Sequence, residues 1–205
     1  MKTTTILLVL FMAASLAVAD EAGCGDCAGC PGQERTCGNE TVAVPEGGLD
    51  GVAKVLDARK VAKLSRTGPY DEAGKALAEL MAWTGKHGVI IVGPPFGVYH
   101  DDPETVAPES ARYDVCVTVS ESAEPSGDGE VTVEEWGPEP VVSYLYRGPY
   151  SGLGPVYAGL TDWACENGYV PVGPGIEFYL SMPGAVPDDS LLTEVCFGVK
   201  EKKTE

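Results

Sequence analysis

The residues best suited to binding chemistry lie in one short segment, Gly-Pro-x2-Glu-x-Tyr-x3-Pro at positions 173–183. Glu177 and Tyr179 are two residues apart, so on a strand they face the same side. A carboxylate among aromatic rings attracts a cation, or takes up a proton when it is desolvated. The segment therefore predicts a binding position for a cationic or flat aromatic group, and the alternative is that Glu177 lies on a solvated outer face.

Four cysteines form a second group of reactive side chains, within the Gly-rich stretch AGCGDCAGCPGQERTCGNE. They are Cys24, Cys27, Cys30 and Cys37, with the spacing C-x2-C-x2-C-x6-C. Thiolates two residues apart can bind zinc or an iron–sulfur cluster, and cysteines of an exported chain tend to form disulfides. We favour disulfides or a mobile thiol-bearing segment, keep the metal site as the alternative, and expect no cofactor.

Residues 1–19 have the pattern of a signal peptide. Lys2 precedes the apolar run 6–18, and Ala17-Val18-Ala19 offers small residues at a cleavage site. The run is shorter than the roughly 20 residues that a membrane-spanning helix needs. The sequence therefore predicts a secreted or periplasmic protein with no stable membrane span after cleavage.

The charge of the chain limits its partners. The 205 residues include 14 Lys and Arg against 31 Asp and Glu, a formal net charge of −17, and the basic residues form no stripe. Attraction to a phosphate backbone needs such a stripe. The sequence therefore excludes nucleic acid as a partner and favours cationic over anionic ligands.

The chain contains an internal repeat with a shift of 80 residues. Gly68-Pro69-Tyr70 recurs as Gly148-Pro149-Tyr150, and Trp83, Tyr99 and Val115-Cys116 recur at 163, 179 and 195–196. A repeat of this length indicates two copies of one supersecondary unit.

Periodicity predicts the same elements in each copy. An apolar, β-branched stretch precedes each Gly-Pro-Tyr, at Val61–Leu64 and Val141–Tyr146, and is typical of a strand. Apolar residues at helical spacing follow, up to Gly88 and Gly168. Two more strands complete each unit: Val89–Val92 through Phe96–His100 and Tyr113–Val119 in the first, Phe178–Leu180 and Thr193–Val199 in the second.

The unit is therefore β-α-β-β, and one helix over three strands leaves an apolar face that a second unit must cover. We predict an α+β fold of two tandem modules related by a pseudo-twofold axis, with antiparallel sheets and a ligand cleft at their junction. The predicted segments are a signal peptide (1–19), a Cys/Gly-rich segment (20–51), module one (52–119), a linker (120–130), module two (131–200) and a charged tail (201–205).

Residues 52–200 resemble the GyrI-like small-molecule-binding domain, which also serves AraC-type and MerR-type multidrug regulators as an effector-binding domain. The repeated Gly-Pro-Tyr, a Trp-x4-Gly at each helix end and the motif at 173–183 carry the resemblance. It implies an aromatic cleft with one acidic residue, which the motif places at Glu177, while Gly97 occupies the matching place in module one. The implied ligand-binding residues are Glu177, Tyr179, Tyr99, Phe96, Trp163, Tyr150 and Tyr70.

Several of these residues have a structural alternative. Tyr70 and Tyr150 could cover a helix end and bond their hydroxyls to backbone, and Trp163 could belong to the core. The repeated Cys116 and Cys196 indicate strand packing, and Cys165 is expected to be buried on the second helix.

The leading hypothesis is an exported protein that captures or senses a small hydrophobic, aromatic or cationic molecule. No segment could supply a helix-turn-helix domain. A hydrolase of reactive electrophilic compounds, with Glu177 as its catalytic residue, is one alternative. A haem-binding protein similar to the SOUL family is another, with His100 as the one candidate axial ligand near the cleft. Some members of the family act on a protein partner, and export argues against a cytosolic topoisomerase as that partner.

Overall fold

The structure is a computed structural model, and it describes residues 49–124 and 129–202. The signal peptide, the four N-terminal cysteines and residues 125–128 of the linker lie outside these described residues. In chain order the elements are β1 (Val52–Leu56), β2 (Arg59–Thr67), α1 (Ala73–His87), β3 (Ile91–Tyr99), β4 (Arg112–Val119), β5 (Val131–Trp136), β6 (Glu139–Arg147), α2 (Leu153–Glu166), β7 (Tyr169–Tyr179) and β8 (Leu192–Glu201).

The β-α-β-β order predicted for each half is confirmed. It consists of β2-α1-β3-β4 in the first half and β6-α2-β7-β8 in the second. Each half also begins with one strand that periodicity did not indicate, β1 and β5. The predicted left-handed glycine cap is present after α1, where Gly88 has a φ of 66°. The second helix, α2, ends at Glu166, and its capping residue is Asn167 rather than the predicted Gly168.

All eight strands form one antiparallel sheet in the order β1-β6-β8-β7-β3-β4-β2-β5. The first strand of each half pairs with the other half: β1 pairs with β6, and β5 pairs with β2. The halves also meet at the centre, where β3 pairs with β7. They are therefore joined at three separate ladders.

Short connections curl this sheet. β1 and β2 are joined by Asp57 and Ala58 alone, although β1 is one edge strand and β2 lies next to the other edge. Two residues span only about 10 Å, so the two edges must lie close together. The matching connection from β5 to β6 confirms the closeness, because a Cβ on Gly137 would lie 3.4 Å from Ala58 Cα.

The two faces of the sheet carry different cores. We call the face on which α1 and α2 pack the helix face, and the opposite face, which the curled sheet encloses, the inner face. α1 contacts β2, β3 and β4, and α2 contacts β6 and β7. The inner-face core comprises Leu56, Val61, Phe96, Val98, Cys116, Val141, Ile176, Phe178 and Cys196.

Arg59 covers part of the inner-face core, with its guanidinium 5.4 Å from the Phe178 ring centroid and 5.8 Å from that of Trp136. Neither of the two helices in the described part of the chain is long and apolar enough to cross a membrane.

Candidate functional site

The centre of the sheet brings together the two copies of one repeat position. On β3 and β7, Gly97 stands directly opposite Glu177, and these residues are 80 positions apart in the sequence. Both belong to the helix face, because their neighbours Phe96 and Phe178 belong to the inner-face core. One acidic residue therefore occupies the middle of the sheet, beside a position without a side chain.

Gly97 makes room for a contact between two tyrosines. A Cβ at this position would lie 2.7 Å from Tyr179 Oη and 2.8 Å from Tyr99 Cε2. The Tyr99 and Tyr179 hydroxyls, which are repeat equivalents, form a hydrogen bond of 2.5 Å. A larger residue than glycine would force these rings apart.

The Glu177 carboxylate accepts hydrogen bonds from two tyrosines. Tyr157 Oη donates to Oε1 over 3.1 Å, and Tyr179 Oη lies 3.4 Å from Oε2. Tyr157 extends from α2 over Gly175, where a Cβ would lie 2.8 Å from Tyr157 Oη. We call Glu177, Tyr99, Tyr157 and Tyr179 the tyrosine–glutamate cluster.

Burial dominates the electrostatics of the cluster. Glu177 is only 8% exposed, and its burial raises the pKa of the carboxyl to about 7, against the lowering effect of the bonds from Tyr157 and Tyr179. Burial, and then the charge of Glu177, raises the pKa of Tyr150 to about 12. The phenols are therefore neutral donors around a carboxyl whose charge changes near neutral pH.

The structure brings most of the predicted site residues together. Glu177, Tyr179 and Tyr99 are in the cluster, and two further rings pack against it. Tyr70 meets Tyr99 edge to face at 4.8 Å between ring centroids, and Tyr150 meets Tyr179 at 5.8 Å. Tyr70 also has the structural role considered above, because its hydroxyl donates to the Asp101 carbonyl over 2.6 Å.

Phe96 and Trp163 lie apart from the cluster. Phe96 precedes Gly97 on β3 and therefore faces the inner side, where it packs on Phe178 at 4.9 Å. Trp163 stacks on Tyr169 at 6.5 Å and covers Gly51, in the core beneath α2. Phe96 lies on the inner face because side chains alternate between the two faces of a strand. Trp163 has the core role that was the structural alternative for it.

The cysteines and His100 have other surroundings than the cluster. Cys116 and Cys196 are buried in the inner-face core, as predicted, and burial raises the pKa of the Cys196 thiol to about 12. Cys165 is exposed rather than buried.

His100 bonds through Nε2 to Asp114 Oδ2 over 2.9 Å, which occupies the nitrogen that a haem iron would need. In the described residues, no group of three or more His, Cys, Asp or Glu side chains could hold a metal ion.

Tyr157 is a cluster residue that the motif and the resemblance do not predict. The repeat contains a signal for it, because the equivalent residue in the first half is Leu77, which is buried. A tyrosine in place of a buried leucine needs a polar partner for its hydroxyl. Gly175 departs from the repeat at the same time, since its equivalent is Pro95, and the two changes together mark the place where Tyr157 lies over β7.

The junction between the halves lies at Glu177, which is buried there beneath the hydroxyls of Tyr157 and Tyr179. Two surface depressions lie elsewhere and do not include Glu177. One, of about 340 Å³, is lined by His100, Arg112 and Asp114 among others, and the other, of about 370 Å³, lies beside Trp83 and Ala123. A ligand that reaches Glu177 must therefore displace part of its tyrosine cover.

Two curated proteins are similar to this chain in sequence. A protein named DNA gyrase inhibitor from Edwardsiella piscicida is 34% identical over 134 residues, which are 62% of this chain and 83% of the relative. A second, from Erwinia billingiae, is 30% identical over 128 residues, 60% of this chain and 80% of the relative.

Two solved structures share the fold. The C-terminal domain of EcmrR superposes with a TM-score of 0.62 at 18% identity, over 75% of this chain and 98% of that domain. EcmrR in its complex with DNA gives a TM-score of 0.66 at 19% identity, and the match spans 75% of this chain and 58% of the EcmrR chain. The family profile described as "GyrI-like small molecule binding domain" matches residues 53–200. With the profile covering most of its length and the repeat folded into one sheet, this chain belongs to the GyrI-like small molecule binding domain family.

Proposed function

We propose that this protein binds a lipophilic or flat aromatic cation at Glu177, between its two halves, and that it does so outside the cytoplasm. One observation carries the proposal: a buried carboxyl lies at the centre of a small-molecule-binding fold with tyrosines as its partners. In the part of the chain that the structure describes, no Lys, Arg or His is hydrogen bonded or ion-paired to Glu177.

The chemistry of the cluster favours a cation over an anion. Burial of a carboxylate without a positive partner costs desolvation free energy, which only hydrogen bonds offset here. A bound cation would supply the missing charge, and the surrounding phenol rings would offer their faces to it. A bound anion would meet the charge of Glu177 and a chain with a net charge of −17.

Access to the carboxyl requires a rearrangement of its tyrosine cover. Tyr179 bonds to Glu177 over 3.4 Å and to Tyr99 over 2.5 Å, whereas Tyr157 is half-buried and bonds to Glu177 over 3.1 Å. A ligand that reaches the carboxyl must break at least one of these hydrogen bonds.

Binding is tested with crystal violet, a lipophilic triaryl cation, and with its neutral leuco form at pH 7.5. We expect the cation to bind at least tenfold more tightly, and Glu177→Gln to lose that preference. Asp162→Asn is the matched control, since it makes the same charge change on an exposed residue of α2. Equal affinity of native protein and Glu177→Gln for crystal violet would contradict the proposal.

Export is tested separately from binding. The chain is expressed in full in a bacterium and the protein is recovered from cytosol, periplasm and medium. We expect mature protein outside the cytosol with Asp20 as its first residue. Protein that stays in the cytosol and retains residues 1–19 would show that this half of the proposal is wrong.

A hydrolytic activity is the second candidate, favoured by the near-neutral pKa of Glu177. A carboxylate of that basicity can take a proton from water as the water attacks an electrophilic carbon. With an aryl epoxide, the water oxygen bonds to carbon as its proton passes to Glu177. The epoxide C–O bond breaks, and a tyrosine hydroxyl gives its proton to the leaving oxygen. The proton on Glu177 then returns to the phenolate, to which the carboxyl is hydrogen bonded. Diol formed by native protein and at least a hundredfold less by Glu177→Gln would support this candidate; equal rates would refute it.

The relatives named DNA gyrase inhibitor make gyrase a partner to test. Since we propose that this protein is exported, we expect residues 20–205 to leave gyrase supercoiling unchanged at equimolar ratio. Inhibition at that ratio would assign the protein a partner in the cytosol and count against export.

A further inference from the structure

Three oxygen atoms of the cluster form a hydrogen-bonded row that ends at the Glu177 carboxyl, where a proton can bind. Tyr99 Oη lies 2.5 Å from Tyr179 Oη, which lies 3.4 Å from Glu177 Oε2. Each phenol has a single proton and can donate in one direction only. With Glu177 charged, Tyr99 donates to Tyr179, and Tyr179 donates to Glu177.

The same row runs in reverse when Glu177 is protonated. The carboxylic acid then donates to Tyr179, and Tyr179 donates to Tyr99, while Tyr157 keeps its bond to Oε1. Both states keep a hydrogen bond at each carboxyl oxygen. In the protonated state Tyr99 no longer donates to Tyr179, so the lost hydrogen bond falls on the Tyr99 hydroxyl and not on the carboxyl. The same side-chain positions therefore serve both protonation states of Glu177.

The elements packed against Glu177 contribute titratable groups of one kind. They are Tyr157 from α2, Tyr179 on β7 itself, Tyr99 from β3, and Tyr150 from the turn Tyr150–Gly152 before α2. The residues opposite Glu177 on β3 and β8 are Gly97 and Val195, and the neighbouring Cys196 belongs to the inner-face core. No permanent positive charge is in contact with the carboxyl among the described residues.

We propose that a proton and a cationic ligand compete for Glu177, so that binding of a cation to the protonated protein releases that proton to the solvent. The inference rests on the proposed function above and adds its regulation. The carboxylic O–H bond breaks as the cation binds, its electron pair stays on the carboxylate, and buffer takes up the proton. Near neutral pH the empty site is partly protonated, in keeping with a carboxyl pKa of about 7.

Competition sets the pH dependence of affinity. The affinity for a permanent cation should rise roughly thirtyfold from pH 5.5 to pH 8.5, with most of the rise below pH 7, as a single carboxyl loses its proton. At pH 6.5 each bound cation should release about three-quarters of a proton by the same linkage.

The dissociation constant of crystal violet is measured from pH 5.5 to 8.5 by equilibrium dialysis. Proton release at pH 6.5 follows from calorimetry in two buffers of different ionisation enthalpy. In native protein and in Asp162→Asn, we expect the affinity to rise with pH and a proton to be released on binding. In Glu177→Gln we expect neither effect. Binding that needs Glu177 but keeps one affinity across this range would overturn the competition and leave the proposed function intact.

A second measurement needs no ligand. Carbon-13 at the carboxyl of glutamate gives a resonance that is missing in Glu177→Gln, and its shift is followed from pH 4 to 9 in the empty protein. We expect a midpoint near 7. A midpoint near the ordinary glutamate pKa would overturn the competition, even if the affinity for crystal violet depends on pH. A midpoint near 7 without dye binding at any pH would overturn the proposed function and, with it, the competition.

Discussion

At Glu177, burial and hydrogen bonding act on one carboxyl in opposite directions. Burial favours the neutral form, whereas the hydroxyls of Tyr157 and Tyr179 favour the charged form. The larger effect is burial, and the carboxyl therefore binds its proton more firmly in the folded than in the unfolded protein. That difference has consequences for stability as well as for ligands.

Stability should fall as pH rises through the titration of Glu177. A folded-state pKa raised to about 7 from 4.5 contributes stability that is complete below pH 4.5 and is lost by about pH 7. Between pH 5 and pH 8 the contribution amounts to roughly 2 to 3 kcal/mol. Urea unfolding of native protein and Glu177→Gln should show a difference in free energy of unfolding that changes by this amount. A constant difference would mean that Glu177 has an ordinary pKa in the folded state.

Tyr157→Phe should raise the carboxyl pKa further. The variant removes the hydroxyl that donates to Oε1 over 3.1 Å and keeps the ring that covers β7. The charged form loses a donor while burial stays the same, so the midpoint of the Glu177 carbon-13 titration should move upward. Tyr144→Phe, a change of the same kind at a residue that packs against the core beneath α2, is the control. An unchanged midpoint in Tyr157→Phe would show that the bond does not stabilise the carboxylate.

The sequence predicts some members of the cluster better than others. Glu177 and Tyr179 follow from the motif at 173–183, and Tyr99 follows from the repeat. Tyr157 does not, because it occupies a helix position whose apolar neighbours make it look like core. Phe96 was misplaced, since the choice between the two faces of β3 depends on which face receives the helices.

At the scale of the elements, the two edge strands β1 and β5 have the weakest sequence signal and a large structural role. Each consists of five or six residues, and each pairs with the other half of the chain. A strand that short is specified by partners some 70 to 90 residues away, which local periodicity does not report. The helices and the strands of the β-α-β-β order carry their own patterns, and those were predicted.

Glycine substitutions separate helix propensity from packing. Gly74 on α1 and Gly154 on α2 are exposed repeat equivalents with open space around a new Cβ. Alanine in place of Gly74 should raise the free energy of unfolding by up to about 1 kcal/mol, because alanine is the better helix former. Gly154 precedes Pro155, whose ring crowds a Cβ on the residue before it, so alanine there should gain less. Thermal and urea unfolding measure the gain, and a loss at Gly74 would show that the helix surface is not free there.

Gly97→Ala should have the opposite effect. The new Cβ would lie 2.7 Å from Tyr179 Oη, and such overpacking costs about 1 to 3 kcal/mol. The separation of Tyr99 from Tyr179 should also change tyrosine fluorescence or the near-ultraviolet circular dichroism of the native state. Native-like stability with an unchanged spectrum would contradict the close contact at this position.

At the scale of the whole molecule, three ladders hold the halves together: β1 with β6, β3 with β7 and β2 with β5. Each half supplies an edge strand to the other. The covalent link between β4 and β5 is therefore not what keeps the halves in contact.

Cleavage between Glu124 and Gly129 should leave the protein assembled. A protease site is placed there, and the cut protein is compared with the intact protein by gel filtration at micromolar concentration. We expect one peak at the same volume, with denaturant unfolding that becomes dependent on protein concentration. Two separate fragments on the column without denaturant would show that the ladders alone do not hold the halves.

The opposition of Gly97 and Glu177 also restricts how such a site can arise. Two identical polypeptides assembled in this way would set each residue against its own copy: paired glutamates would repel, and paired glycines would offer no charge. A homodimer of half-length subunits thus has no means of placing a lone acid at its centre. Fusion of the two copies into one gene removes that restriction, since each copy can then mutate without the other.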